Sequence, residues 1–384
     1  MSMSRNRRLS LGGLVLVGLV VALSFALFRN RTQGDKDIYI GAAMPLTGDG
    51  ASYGVPQKLA AELAVAEINK AGGVLGRHLQ LVPEDDQAQP VQAANVARLL
   101  AADPRIVAVL GHPNSGNAMP ASRIYHESGV PYIVTSATNP AITKQGFSNV
   151  FRFAPTDDMQ GRSAADFAYD ELHSRRLAVL HDNATYGEGL ARNARDRFRE
   201  RGGTVALFDA IQAGQANYRP VLRVVRDSRP DALFYGGMLP EAAVLLREAR
   251  ELGLDFPMIF GDGAFDTRLL SLSGTDGKGV YVSFLAPPWK DVKSSTAFFD
   301  AYKARYGEVP PFAPYGYDAV LVIAQAIRRA HSTNRGKILR ALQDPSFRVN
   351  GATGPISFDH DGQTDRGRFY FYTFNESGAF VLAR

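Results

Sequence analysis

The 384-residue chain is 45% hydrophobic, long enough for two globular units, and holds no cysteine, which removes disulfides, thiolate nucleophiles and cysteine metal sites together. Its net charge of +5 has a single source: residues 1–34 carry Arg5, Arg7, Arg8, Arg29 and Arg31 and no acid, leaving 38 basic against 38 acidic side chains beyond them. A body without charge bias offers nucleic acid no electrostatic footing, so no nucleic-acid partner is expected.

The leader runs from a basic start into the apolar stretch Leu9 to Phe28, broken only by Ser10, Gly12, Gly13, Gly18 and Ser24. That length just spans a bilayer as a helix, while Ser24-Phe25-Ala26 also shows the small-x-small pattern that a signal peptidase reads. Residues 1–34 are therefore expected to be a signal peptide or an N-terminal membrane anchor, with residues 9–28 touching the membrane if the leader stays uncleaved. Everything beyond about Gly34 is then placed outside the cytoplasmic membrane, in the periplasm or on the outer face.

Beyond the leader, apolar runs of strand length alternate with helical patterns. A strand ends at Gly41, Pro56 is expected to open a helix with the stripe Leu59, Leu63, Ala66 and Ile68, and Gly72-Gly73 closes it. The pattern predicts a strand from His78 to Val82, a helix from Val91 to Ala102, a strand from Ile106 to Leu110, a helix from Ala118 to Ser128 and a strand from Val130 to Val134. After Phe151 to Thr156 the alternation resumes with strands at 177–180, 205–208, 232–235 and 258–260, separated by helices at 160–172, 188–201, 218–227 and 241–252. From Gly279 the order changes to a strand Val280 to Phe284, a turn at Pro287-Pro288, and helices at 294–306, 317–331 and 335–342. The tail predicts a β-hairpin joining 354–358 to 368–374, with Asp359-His360-Asp361-Gly362 at its turn. Alternation of this kind implies an α/β fold of doubly wound parallel sheets.

In such sheets ligands are held beyond the carboxyl ends of the strands. Six apolar runs end on small or polar residues, at Gly41, Gly111, Ser136, Asp182, Gly237 and Asp262. The loop 111–117 lies between a strand end and a helix start, so the Ser115 hydroxyl and nearby amides face the place where an anion gains from a helix N-terminus. Ser115 reads equally as a plain helix cap. Thr138, past the next strand end, reads either as a ligand contact or as a turn former, and Asp262 either as a buried carboxylate awaiting a cation or as the first residue of an Asp-Gly turn.

Enzymatic readings find little to stand on. No G-x-S-x-G elbow and no Walker loop occur, and Gly187-Glu188-Gly189 lacks the third glycine of a dinucleotide fingerprint. The seven histidines show no metal-ligand spacing, so no metal and no cofactor are expected, and His112 beside Ser115 has no evident third group to orient it.

The stretch IYIGAAMPLTGDGASYGVPQKLAAELAVAEINKAGGVLGRHLQLVPEDDQAQP closely resembles the start of the mature leucine/isoleucine/valine-binding proteins, the type I periplasmic receptors of branched-chain amino-acid ABC transporters. The likeness continues through VLGHPNSGNAMPASRIYHESGVPYIVTSATNPAIT, HDNATYGEGLARNARD, FYGGMLPEAAVLLREAR and GPISFDHDG, covering nearly everything after residue 36. It implies two lobes joined by three crossovers near Pro155, Ala286 and Thr353, with lobe one made of residues 36–154 plus 286–352 and lobe two of 155–285 plus 353–384. It also implies a non-enzymatic receptor that clamps a small amino acid and delivers it to an inner-membrane permease. The alternative is a sensor of the same fold for an amide or amine, coupled to signalling.

Carried over position by position, the resemblance puts the ligand carboxylate at Ser115, with Thr138 and the Ser136 carbonyl, flanking Ala137, meeting carboxylate and ammonium. Asp262 pairs with the ammonium where relatives usually have glutamate. Tyr53, Tyr186 and Phe312 close over the ligand, and Pro113, Asn114 and Met238 line the side-chain end. Arg152, Asp157 and Gln160-Gly161 are expected to serve as hinge structure.

Overall fold

The computed structural model describes residues 37–364 and 367–383; the leader expected at 1–34, with its stretch 9–28, lies outside the described residues. Among the described residues no helix is long and apolar enough to cross a membrane.

Two sheets organise the chain. The first is wholly parallel, in the order β2-β1-β3-β4-β5, and consists of β1 (Ile38–Met44), β2 (Leu79–Asp85), β3 (Ile106–Gly111), β4 (Tyr132–Val134) and β5 (Val150–Arg152). Every residue of β3 is buried, as expected of a central parallel strand with helices on both faces. The second sheet runs β14-β13-β10-β9-β8-β6-β7. Its parallel part is β6 (Arg176–His181), β7 (Thr204–Ala210), β8 (Ala232–Gly236), β9 (Met258–Phe260) and β10 (Val280–Phe284). To this β13 (Tyr370–Phe374) and β14 (Phe380–Leu382) add an antiparallel edge.

In each sheet the strand order reverses once, β1 being flanked by β2 and β3, and β6 by β7 and β8. A crevice opens at such a reversal because the connections on either side run to opposite faces. The helices that follow β1, β3 and β6 carry Tyr53, Ser115 and Tyr186 in their first turns, and Met238 caps the helix that follows β8. The two crevices thus hold part of the expected site in each half, and the segments after β4 and β9 bring Thr138 and Asp262 beside it.

After β10 the chain returns to the first sheet. Its helix Ala313–Ala330 packs on the helix Ala51–Lys70, an approach that depends on Gly316, where a Cβ would fall 2.0 Å from the Gln57 carbonyl oxygen. Asp318 of the same helix accepts from the Ala352 and Thr353 amides at 2.6 and 2.8 Å and from the Thr353 hydroxyl at 2.6 Å. The tail then reaches β5: Arg152 N–H donates to the Gly362 carbonyl and Thr364 N–H to the Arg152 carbonyl, both at 2.8 Å.

Three local expectations are corrected. Pro56 does not open its helix, which begins at Ala51 and carries the proline inside. The carbonyl deprived of its N–H partner belongs to Ser52, which is exposed and open to water, so the loss is small this near the helix start. The helix expected from Tyr317 starts at Ala313, with Pro314 in the first turn where its missing N–H costs nothing. The tail segments do not pair with each other: β12 (Gly354–Ile356) pairs with β11 (Val349–Gly351), while β13 joins β10 and β14. Alternation marks a strand but not its partner. The turn at 359–362 does form, with Gly362 N–H donating to the Asp359 carbonyl at 3.1 Å.

Candidate functional site

All eleven residues singled out, Tyr53, Pro113, Asn114, Ser115, Ser136, Ala137, Thr138, Tyr186, Met238, Asp262 and Phe312, line one cavity. Gly263 completes the lining and escaped the sequence reading. The signal was the Asp262-Gly263 pair itself: a Cβ at Gly263 would stand 2.6 Å from the Gly237 carbonyl oxygen and 2.9 Å from the Met238 sulfur.

One wall is polar and centred on a helix start. The helix Ser115–Glu127 is capped by Asn114, whose Oδ1 accepts from Gly116 N–H at 2.9 Å, so the cap reading of Ser115 is overturned. Ser115 is the first helical residue, and its Oγ accepts from Asn139 N–H at 3.2 Å, leaving its own proton to donate elsewhere. Of the two readings of Thr138, the turn-forming one belongs instead to Asn139, whose Oδ1 accepts from Ala141 N–H at 2.9 Å. Ser136 is fixed by Gln57, which donates to its Oγ at 3.1 Å from the helix Ala51–Lys70. Tyr53 stands over this wall; burial pushes its hydroxyl up to about 12, with the Asn114 side chain pulling the other way.

The opposite wall holds a buried acid. Asp262 does open a short 3₁₀ turn, Asp262–Ala264, yet its side chain is turned inward and is 4% exposed. Tyr186 donates its hydroxyl proton to Asp262 Oδ1 at 2.6 Å, and Gln160 Nε2 donates to the same oxygen at 2.8 Å. Burial holds the Asp262 carboxyl above its ordinary range even so. No side-chain cation pairs with it among the described residues. Phe312 closes the rim where the helix Ala313–Ala330 begins, packed edge-on to Phe284 at 5.2 Å between ring centres.

Behind the cavity lie the crossover residues. Arg152 is wholly buried; it donates through Nη1 to the Asn139 carbonyl at 2.5 Å and the Ala137 carbonyl at 3.2 Å, and through Nε to Gln363 at 2.7 Å. Burial lowers its guanidinium to about 10. Asp157 is equally buried and neither carboxylate oxygen makes a hydrogen bond. Burial pushes it up to about 8, with Thr138 pulling the other way and the Asp262 charge adding to the rise. Gln160, expected only as hinge structure, also holds the buried Asp262 carboxylate in place.

His112 does have an orienting group. Its Nδ1 lies 2.8 Å from Asp86 Oδ2, and its Nε2 lies 3.1 Å from the Tyr125 hydroxyl. Both ring nitrogens are thereby occupied, and no bond to Ser115 is formed of the kind a serine nucleophile needs. Groups of three or more His, Asp or Glu able to hold a metal are absent among the described residues.

Two doubly wound lobes, with a largely apolar cavity between their switch points that carries a few polar groups, define a two-lobed small-molecule-binding protein. The periplasmic binding protein family model matches residues 37–379, and the chain belongs to that family. It is 33% identical over 344 residues to the Leu/Ile/Val-binding protein homolog 1 of Brucella abortus (strain 2308), covering 89% of this chain and 91% of that one. It is 33% identical over 359 residues to the leucine-, isoleucine-, valine-, threonine-, and alanine-binding protein of Pseudomonas aeruginosa, covering 93% and 95%. Among solved structures it superposes on the leucine binding protein LivK of Thermotoga maritima with a TM-score of 0.83 at 28% identity, covering 90% of this chain and 98% of that one. The substrate binding protein LivJ of Streptococcus pneumoniae, solved with isoleucine, gives 0.80 at 28%, covering 91% and 100%.

Proposed function

We propose that this protein is the solute receptor of an ABC importer and clamps a small α-amino acid, of branched-chain type or related, between its lobes. The carrying observation is the opposition of two complementary features across one cavity: Ser115 at a helix N-terminus, and Asp262 buried without a cation. A helix start with a free hydroxyl proton suits a carboxylate, and an uncompensated buried acid suits an ammonium. One α-amino acid satisfies both. The names and ligands of the relatives support the same class.

In this reading the lobes are residues 36–154 plus 286–352 and 155–285 plus 353–384, the protein does no chemistry on its ligand, and the closed form is handed to permease subunits of the inner membrane. Residues 1–34 would place it in the periplasm or hold it at the outer face of the membrane through residues 9–28. Both His112 nitrogens being engaged away from Ser115 supports a binding rather than a catalytic site. Thermal shift of the protein against a panel of L-amino acids, amides and amines tests the reading. Stabilisation by L-leucine, L-isoleucine or a neighbour in size is expected, and stabilisation by amides alone would move the assignment to a sensor.

A further inference from the structure

We propose that Asn139 is a positioning residue that couples occupation of the site to lobe closure, by holding the Ser115 wall and the Asp262 wall together through one side chain. The proposal rests on the clamp reading above.

Three groups of Asn139 point three ways. Its backbone N–H donates to Ser115 Oγ at 3.2 Å, so it orients the hydroxyl expected to meet the ligand carboxylate. Its carbonyl accepts from Arg152 Nη1 at 2.5 Å, which ties it to β5 at the first crossover. Its Nδ2 donates to the Thr185 carbonyl at 3.2 Å, and Thr185 opens the helix Thr185–Glu200 on the second sheet. The next residue is Tyr186, whose hydroxyl holds Asp262. A continuous run of bonds therefore leads from Ser115 through Asn139 and Thr185 to the acid on the far wall.

The bond to Thr185 is the part that must break when the lobes separate, since its donor and acceptor belong to different sheets. A ligand that fixes Ser115 also fixes the Asn139 backbone, and the side chain is then presented to Thr185 with less entropy to lose. The acceptor is a main-chain carbonyl, so the pairing fixes the approach of the lobes and is indifferent to the ligand's side chain. Close packing reinforces it: a Cβ at Gly189, one turn further along, would lie 3.2 Å from Asn139 Nδ2.

Asn139→Asp separates this role from the local turn. It keeps the Oδ1 that accepts from Ala141 N–H and removes the donor to Thr185; Asn139→Ala removes both. The chain has no cysteine, so spin labels at Leu99→Cys and Val224→Cys, exposed positions on the helices Pro90–Ala102 and Arg219–Asp227, report the interlobe distance in the full-length protein. Both variants are expected to shift the distance distribution away from the closed population without ligand, Asn139→Asp at unchanged melting temperature and Asn139→Ala with the added loss of the Ala141 turn bond. With L-leucine they should dissociate roughly 3- to 10-fold faster at an unchanged association rate, the range that one hydrogen bond supplies. Distributions identical to the parent for both variants would overturn the proposal. An Asn139→Asp shift alongside a parent that ignores L-leucine would leave the latch standing and remove the amino-acid reading instead.

Discussion

Gln160 donates a 2.8 Å hydrogen bond to Asp262 while the same nitrogen lies 2.8 Å from Ser283 Oγ, so the buried acid is held from the helix Asp157–Asp166 and, through Gln160, from β10. With Tyr186 donating to the same oxygen, the carboxylate is fixed in place by two donors, and no side-chain cation pairs with it among the described residues.

Asp262→Asn retains the shape and most of these contacts but removes that charge. An ammonium brought into the cavity would then be buried unpaired, at a cost of about 2–5 kcal/mol in affinity. Calorimetry with L-leucine on the parent and the variant measures it, and native-like affinity would show that no primary ammonium sits there.

Ser115→Ala should cost less. It deletes one hydroxyl while the amides of the helix start remain, so a loss of about 1.5–3 kcal/mol is expected, the range for a hydrogen bond to a charged group. Asn139 N–H also loses its acceptor, a cost shared by the free and the bound protein that is read in the melting temperature rather than in the affinity. The ranking, Asp262→Asn worse than Ser115→Ala, is read in the same titrations, and the reverse order would put the ligand's principal charge at the helix.

Much of this was legible in the residues because the strand endings sit where a doubly wound sheet puts its ligands. Gly111, Ser136, Gly237 and Asp262 all close apolar runs, and the loops after them converge on one cavity. The resemblance supplied what spacing could not, the pairing of Tyr53 with residues more than two hundred positions away. What stayed hidden depends on contacts between distant segments. Nothing local distinguishes Asn114 from Ser115 as a cap, and nothing marks Asp86 as the partner of His112. Nor does alternation in 370–374 name β10 as the neighbouring strand. Gln160 looked like hinge because its sequence neighbours are crossover residues, yet its side chain meets Asp262, 102 positions on.

Gly316→Ala tests the packing that brings the chain back to the first lobe. The added Cβ would lie 2.0 Å from the Gln57 carbonyl oxygen, main chain that no rotamer change can move. The two helices must separate, at about 1–3 kcal/mol or more. Because Gln57 also holds Ser136 Oγ, ligand affinity should fall with the melting temperature. Thermal unfolding with and without L-leucine checks both, and an unaltered melting temperature would mean that the helices are not in register as described.

Asp157 is buried, its carboxylate oxygens find no hydrogen-bond partner, and its carboxyl is pushed up to about 8 from 3.8 chiefly by burial, against the pull of Thr138 and Arg152. Below about pH 4 the group is protonated in both folded and unfolded chains, and its native contribution is fully present. As pH rises past 3.8 the unfolded chain releases a proton that the native state keeps to about 8, so stability is lost across that window, by up to about 1.4 kcal/mol per pH unit. Asp157→Asn cannot titrate and escapes this loss. The ligand-free variant should match the parent near pH 4 and become progressively more stable than it up to about pH 8, with no further gain above. Melting temperatures of both proteins from pH 4 to 9 measure the difference. A difference independent of pH would show that Asp157 is ionised in the native protein, held by Arg152 rather than by its proton.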